Sequence, residues 1–176
     1  MSDTAPVRRW AATLRVLTWV AMAILATALL AGIAFLDLPE ALRRAAGIAP
    51  DHRLDPLHRA GVAALGALPS LAMLYGLHQM VLLLGRYAGG ETLTQACARH
   101  IQRIGAALLV AVALELVSRP LQIMLASLAN PPGERVLALS LEGADLGQVL
   151  AGGLMVMIGW AMHEAAEMAE ENRGFI

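Results

Sequence analysis

Residues 16–36 read VLTWVAMAILATALLAGIAFL, a run without a charge that is bracketed by Arg15 and Asp37. At 1.5 Å per residue, a helix of this length covers ~30 Å, the hydrocarbon thickness of a bilayer. Three more apolar runs follow, at about 60–85, 104–128 and 146–163. They are uncharged for long stretches and separated by short charged clusters, instead of showing the amphipathic spacing of a half-buried helix, so each run requires an apolar environment on all sides. Four such runs are too many for a 176-residue chain to hide from water, and the solvent around them must be lipid.

The composition agrees. Hydrophobic residues make up 58% of the chain and charged residues 15%, against ~25% charged in soluble globular proteins. A formal net charge of -1 gives no global field that would draw in nucleic acid, and none of the motifs of a nucleic-acid reader is present. All thirteen positive charges are arginines, which we read as coding bias toward GC-rich DNA. A single cysteine, Cys97, excludes an intramolecular disulfide and any Cys-pair metal site.

The expected fold is therefore all-α: one integral membrane domain, a bundle of four transmembrane helices with both termini on the same side, followed by a helical tail over 164–176. A cleaved signal peptide is the competing reading of the first run, because Arg8, Arg9 and Arg15 precede it, but the run exceeds the ~7–15 apolar residues of a signal core. The polar segment from Asp37 to Arg59 reads as a loop with a short interfacial helix around Glu40 to Ala46. Pro69 lies inside the second run and predicts a kink that a bundle tolerates. Gly89 and Gly90 permit a tight turn, after which Thr94 is the expected N-cap of a helix starting at Gln95. Gly143 with Gly147, and the pair Gly152–Gly153, are the expected points of close helix approach.

Arginine counting places Arg8, Arg9, Arg15, Arg86, Arg99, Arg103 and Arg173 on the terminal side, against Arg43, Arg44, Arg53, Arg59, Arg119 and Arg135 on the other. Setting aside Arg119, which falls within a span, the bias favours cytoplasmic termini. The expected location is the bacterial inner membrane.

Three residues form a candidate intramembrane polar site. Glu115 and Arg119 stand at i and i+4 in the third run, with Glu115 ~16 Å from the run's start and near the midplane, and His78 lies in the second run. Charge at that depth is by default a functional candidate for proton or ion handling. The alternative is structural, with Arg119 snorkelling to the interface and Glu115 pairing with it. His78 and His163 on facing helices invite a haem or quinone reading, but their depths differ by ~9 Å, and no cofactor is expected. His163, Glu167 and Glu170 recur at i, i+4 and i+7; HEAAE lacks the second histidine of a zinc-protease helix, so no metal is expected either. No nucleophile–base order or phosphate-binding glycine loop is present, which leaves a non-enzymatic protein.

The stretch GGETLT, residues 89–94, followed by ARHIQRIG, residues 98–105, and the ending EAAEMAEENRGFI resemble the bacterial four-span membrane proteins of the DUF2975 family. Gly90, Glu91, Thr94, Arg99, Arg103, Ile104, Gly105, Glu171, Asn172 and Ile176 carry the resemblance, which covers mainly 75–109 and 150–176. Gln95 and Ala96 depart from it, because many relatives have proline and an acidic residue there. The resemblance implies an integral membrane protein without assigned activity, in some cases encoded beside a small Cro-type helix-turn-helix regulator.

The expected function is that of a membrane partner or sensor acting through protein interaction. A cytoplasmic face built from Arg86, Glu91, Arg99, Arg103, Glu167, Glu171 and Asn172 would bind a protein partner or a second copy of the chain, with the bilayer as the other partner. Pairing within the chain between the basic connection and the acidic tail is the simplest account of their opposite signs.

Overall fold

The structure is a computed structural model that describes residues 5–35, 40–47, 55–91, 94–128 and 143–173. The described residues form five helices: α1 (Ala5–Phe35), α2 (Glu40–Ala45), α3 (Pro56–Ala88), α4 (Gln95–Ser127) and α5 (Gly143–Arg173). The chain is an all-α protein in which α1, α3, α4 and α5 are each long and apolar enough to cross a membrane. Helices of 31 or 33 residues extend ~45–50 Å, so each outruns the ~30 Å hydrocarbon layer and carries polar turns beyond it.

Local chemistry sets the helix ends. Pro56 opens α3 behind Asp55, where its missing N–H costs nothing. Thr94 caps α4 as its position predicts, its Oγ1 accepting from the Cys97 N–H at 3.3 Å. Between α3 and α4, Gly90 adopts φ 91°, a left-handed conformation that glycine takes without strain. The short helix α2 is where the first loop predicts it, with Glu40 in its first turn and Arg43 and Arg44 in its last, each charge matched to the helix dipole. Pro69 and Pro120 lie inside α3 and α4, which run through them as single helices.

The helices pack in chain order: α1 against α3, α3 against α4, and α4 against α5, with α2 touching the end of α4. Among the described residues α1 and α5 do not meet, so the bundle is an open row with these two helices at its edges. The start of α1, the end of α3, the start of α4 and the end of α5 come together at one end, here the terminal end; α2 lies at the other, the loop end. The Arg8 Nε–H donates to the Ala88 carbonyl at 3.0 Å, and Gln95 Nε2 donates to Glu170 at 3.0 Å, which fixes this grouping.

Two apolar clusters hold the row. At the terminal end Leu83, Cys97, Ile101 and Ile104 are buried against Met80 and Tyr87 of α3 and Met155 and Met162 of α5. At the loop end Ala46, Val62, Ile123 and Ala126 pack with Leu42 and Leu125. Elsewhere large apolar side chains face outward, among them Trp10, Ile24, Leu30, Leu150, Leu154 and Trp160. In water this would be an apolar patch far beyond what a monomer tolerates; in lipid it is the solvated surface.

The glycine contacts correct one expectation. Gly143, Gly147 and Gly153 face open space, whereas the close approach uses Gly152 and Gly159 of α5 against α4. A Cβ on Gly105 would come within 2.6 Å of the Gly152 carbonyl oxygen, and one on Gly159 within 3.0 Å of the Ala98 carbonyl oxygen. Gly152 and Gly159 are seven residues apart and share a helical face, while Gly143 and Gly147 are turned well away from it. Gly105, the last residue of the ARHIQRIG stretch, is therefore the point where two backbones touch.

Candidate functional site at the terminal end

The polar side chains that the fold collects lie mainly at the terminal end. The α3–α4 connection is closed by the Glu91 N–H donating to the Arg86 carbonyl at 3.0 Å and by the Arg86 guanidinium donating to the Glu91 carboxylate at 3.0 Å. Cys97 is fully buried beneath it, with its Sγ donating to the Glu91 carbonyl at 3.3 Å and receiving the Thr94 hydroxyl at 3.2 Å. The thiol thus ties the loop to the first turn of α4.

One turn further into α4, His100 Nδ1 lies 2.8 Å from Gln79 Oε1 of α3, and both side chains are buried. This pair is not among the contacts expected from the sequence. The signal was available: Gln79 stands ten residues before Gly89 and His100 ten residues after Gly90, and positions equidistant from the turn of a helical hairpin face each other. Beside this pair an open cleft of about 490 Å³ is lined by Arg15, Gly85, Arg86, Glu91 and His100. The Arg15 guanidinium packs beside Gly85, its carbon 3.5 Å from where a Cβ would stand.

The charges of the expected interaction face are distributed differently from the expected pairing. Arg86 pairs with Glu91 inside its own loop and not with the tail. Glu167 lies 3.4 Å from His163 Nε2, and Glu170 takes the Gln95 amide. The side chains of Arg99, Arg103, Glu164 and Glu171 are exposed and make no hydrogen bond or ion pair with a described residue. The side chain of Asn172 lies outside the described ones. The i, i+4, i+7 acidic face is therefore split between two partners, and no group of three His, Cys, Asp or Glu side chains suited to a metal is present among the described residues.

The structure does not assemble Glu115, Arg119 and His78 into one site. A Cβ on Gly76 would lie 3.1 Å from the Ala107 Cβ, which registers α3 against the antiparallel α4. Glu115 is eight residues from Ala107 toward the loop end and His78 two residues from Gly76 the other way, which separates them by ~15 Å in depth. Both are exposed on the outer surfaces of their helices, while Arg119 is half-buried. Glu115 makes no ion pair with a described residue, so the bridge that its spacing from Arg119 suggests is not formed.

A family model described as "Protein of unknown function (DUF2975)" matches residues 39–174. The chain belongs to this family. The DUF2975 match takes in α2 and the first half of α3, beyond the segments that carried the sequence resemblance, and leaves α1 outside it. No curated protein and no solved structure matches the chain. Within the DUF2975 match, three motif positions have a physical role here: Glu91 anchors Arg86, Thr94 caps α4, and Gly105 admits α5.

Proposed function

We propose that the protein is a non-enzymatic partner or sensor of the bacterial inner membrane that acts by binding another protein at its terminal end, on the cytoplasmic side. The observation that supports this reading is the set of exposed charges of both signs, Arg99 and Arg103 on α4 and Glu164 and Glu171 on α5, that the described chain itself leaves unpaired. Neighbouring helices that could satisfy each other's charges and do not offer a partner complementary contacts at little cost, because exposed pairs within the chain are worth at most ~1 kcal/mol. A helix-turn-helix regulator, as the family resemblance implies, is the partner to test first.

Co-purification from native membranes tests the reading. A defined protein should accompany the wild type and be lost in an Arg99→Glu/Arg103→Glu variant that remains folded. If deletion of Ala165–Ile176 changes neither the co-purifying proteins nor transcription of neighbouring genes, the reading is wrong.

A further inference from the structure

The opposite end of the molecule carries a second feature that the terminal-end reading does not use. On α1, Ala11 and Thr18 are buried; Met22, Leu25, Ala26 and Leu29 continue their face toward the loop end only half-buried. Along that stretch a cavity of about 260 Å³ opens between α1 and α3. Its α1 wall includes Leu25, Leu29 and Ile33, and its α3 wall is cut back by the small residues Ala63, Gly66 and Ala67. A row of small side chains on one helix opposite leucines on the other leaves this space between them.

Three polar groups also line this slot. Arg59 stands at its mouth, at the start of α3, and its guanidinium makes no hydrogen bond or ion pair with a described residue. Gln122 of α4 reaches in behind Gly66, where a Cβ would lie 3.1 Å from its Nε2, and its amide makes no hydrogen bond with a described residue. Ser70 lies one turn deeper than Gly66, to whose carbonyl its hydroxyl donates at 3.4 Å. An unsatisfied amide inside the hydrocarbon layer is costly unless an occupant accepts its hydrogen bond. Gly66 is seven residues from Arg59, ~10 Å deeper along α3.

We propose that this slot binds one molecule of an anionic glycerophospholipid from the surrounding bilayer. Its phosphate pairs with Arg59, one acyl chain lies between α1 and α3, and the Gln122 amide donates to an ester carbonyl. The order of groups along the slot matches the order along the lipid: cation at the membrane surface, hydrogen-bond donor below it, hydrocarbon walls around and beyond. Arg59 is the positive charge among the residues that line this slot, and no described acid compensates it, which favours a headgroup with net negative charge over a zwitterionic one.

Native mass spectrometry of the full chain in detergent, titrated with phosphatidylglycerol or phosphatidylcholine of identical acyl chains, tests this. The first bound lipid should show about a five-fold preference for phosphatidylglycerol, the effect of one basic residue near a membrane surface. Arg59→Gln should abolish the preference while lipid still binds, and Arg44→Gln, at an exposed position of α2, should preserve it. Ala63→Phe, which fills the slot, should remove the tightly held lipid of either kind. Arg59→Gln lies at the rim and keeps the test valid if Ala63→Phe fails to fold. Equal binding of the two lipids by wild type, a preference that survives Arg59→Gln, or unchanged lipid retention in folded Ala63→Phe would each overturn the proposal and leave only annular lipid.

Discussion

His100 Nδ1 and Gln79 Oε1 lie 2.8 Å apart in a buried contact between α4 and α3. The pair is satisfied when Nδ1 carries the proton and the glutamine oxygen accepts it. Removing one partner strands the other, so Gln79→Leu or His100→Leu should each destabilise the protein by about 1–3 kcal/mol. The double variant should cost clearly less than the sum of the two, because no buried polar group is then left over. Unfolding in mixed micelles by denaturing detergent, followed by circular dichroism, measures the cycle. Additive losses would mean that the contact contributes nothing.

The α4–α5 interface is equally specific. Gly105→Val and Gly152→Val should each cost about 1–3 kcal/mol by overpacking, since the new side chains meet backbone that cannot step aside. Gly147→Val and Gly153→Val point into open space and should change stability by less than about 0.5 kcal/mol. The same micelle titration compares the four. Equal losses at Gly105 and Gly147 would contradict the observed packing.

These two contacts also show where the sequence stops being informative. The spans, the short α2, the Thr94 cap and the turn at Gly89–Gly90 are legible because each rests on local chemistry: length without charge, a hydroxyl before a helix, a residue free to take positive φ. Which face of a span meets its neighbour is not legible in the same way. Lipid and helix neighbours are equally apolar, so hydropathy along α3 and α4 does not separate the two faces. Gly143 and Gly147 satisfy a small-residue spacing as well as Gly152 and Gly159 do, and only the register of α5 on α4 decides between them. The same degeneracy made Glu115, Arg119 and His78 look like one site although two different helices carry them at different depths.

Thr94 should report on the loop above it. Thr94→Ala removes an N-cap worth about 1 kcal/mol, whereas Thr94→Ser keeps the oxygen and should be close to neutral. Cys97 provides the readout. It is fully buried and hydrogen-bonded to Glu91, so the wild-type thiol should react with maleimide only when the first turn of α4 opens. Thr94→Ala should raise the labelling rate several-fold, and Thr94→Ser should not. Fast labelling of the wild type would show that the connection is not closed over the thiol.

Glu115 is the sharpest test of whether intramembrane charge does transport work here. A proton or ion path needs polar groups in succession, each within hydrogen-bond or single-water reach of the next. Glu115 and His78 are ~15 Å apart in depth and both lie on outer surfaces. With no described acidic or basic partner on Glu115, neutralising it should relieve a desolvation cost instead of breaking a relay. Glu115→Gln should therefore match or exceed wild-type stability, and proteoliposomes loaded with a pH-sensitive dye should show the same background leak with either protein. A wild-type flux that Glu115→Gln abolishes would establish the opposite, that the chain conducts through this residue.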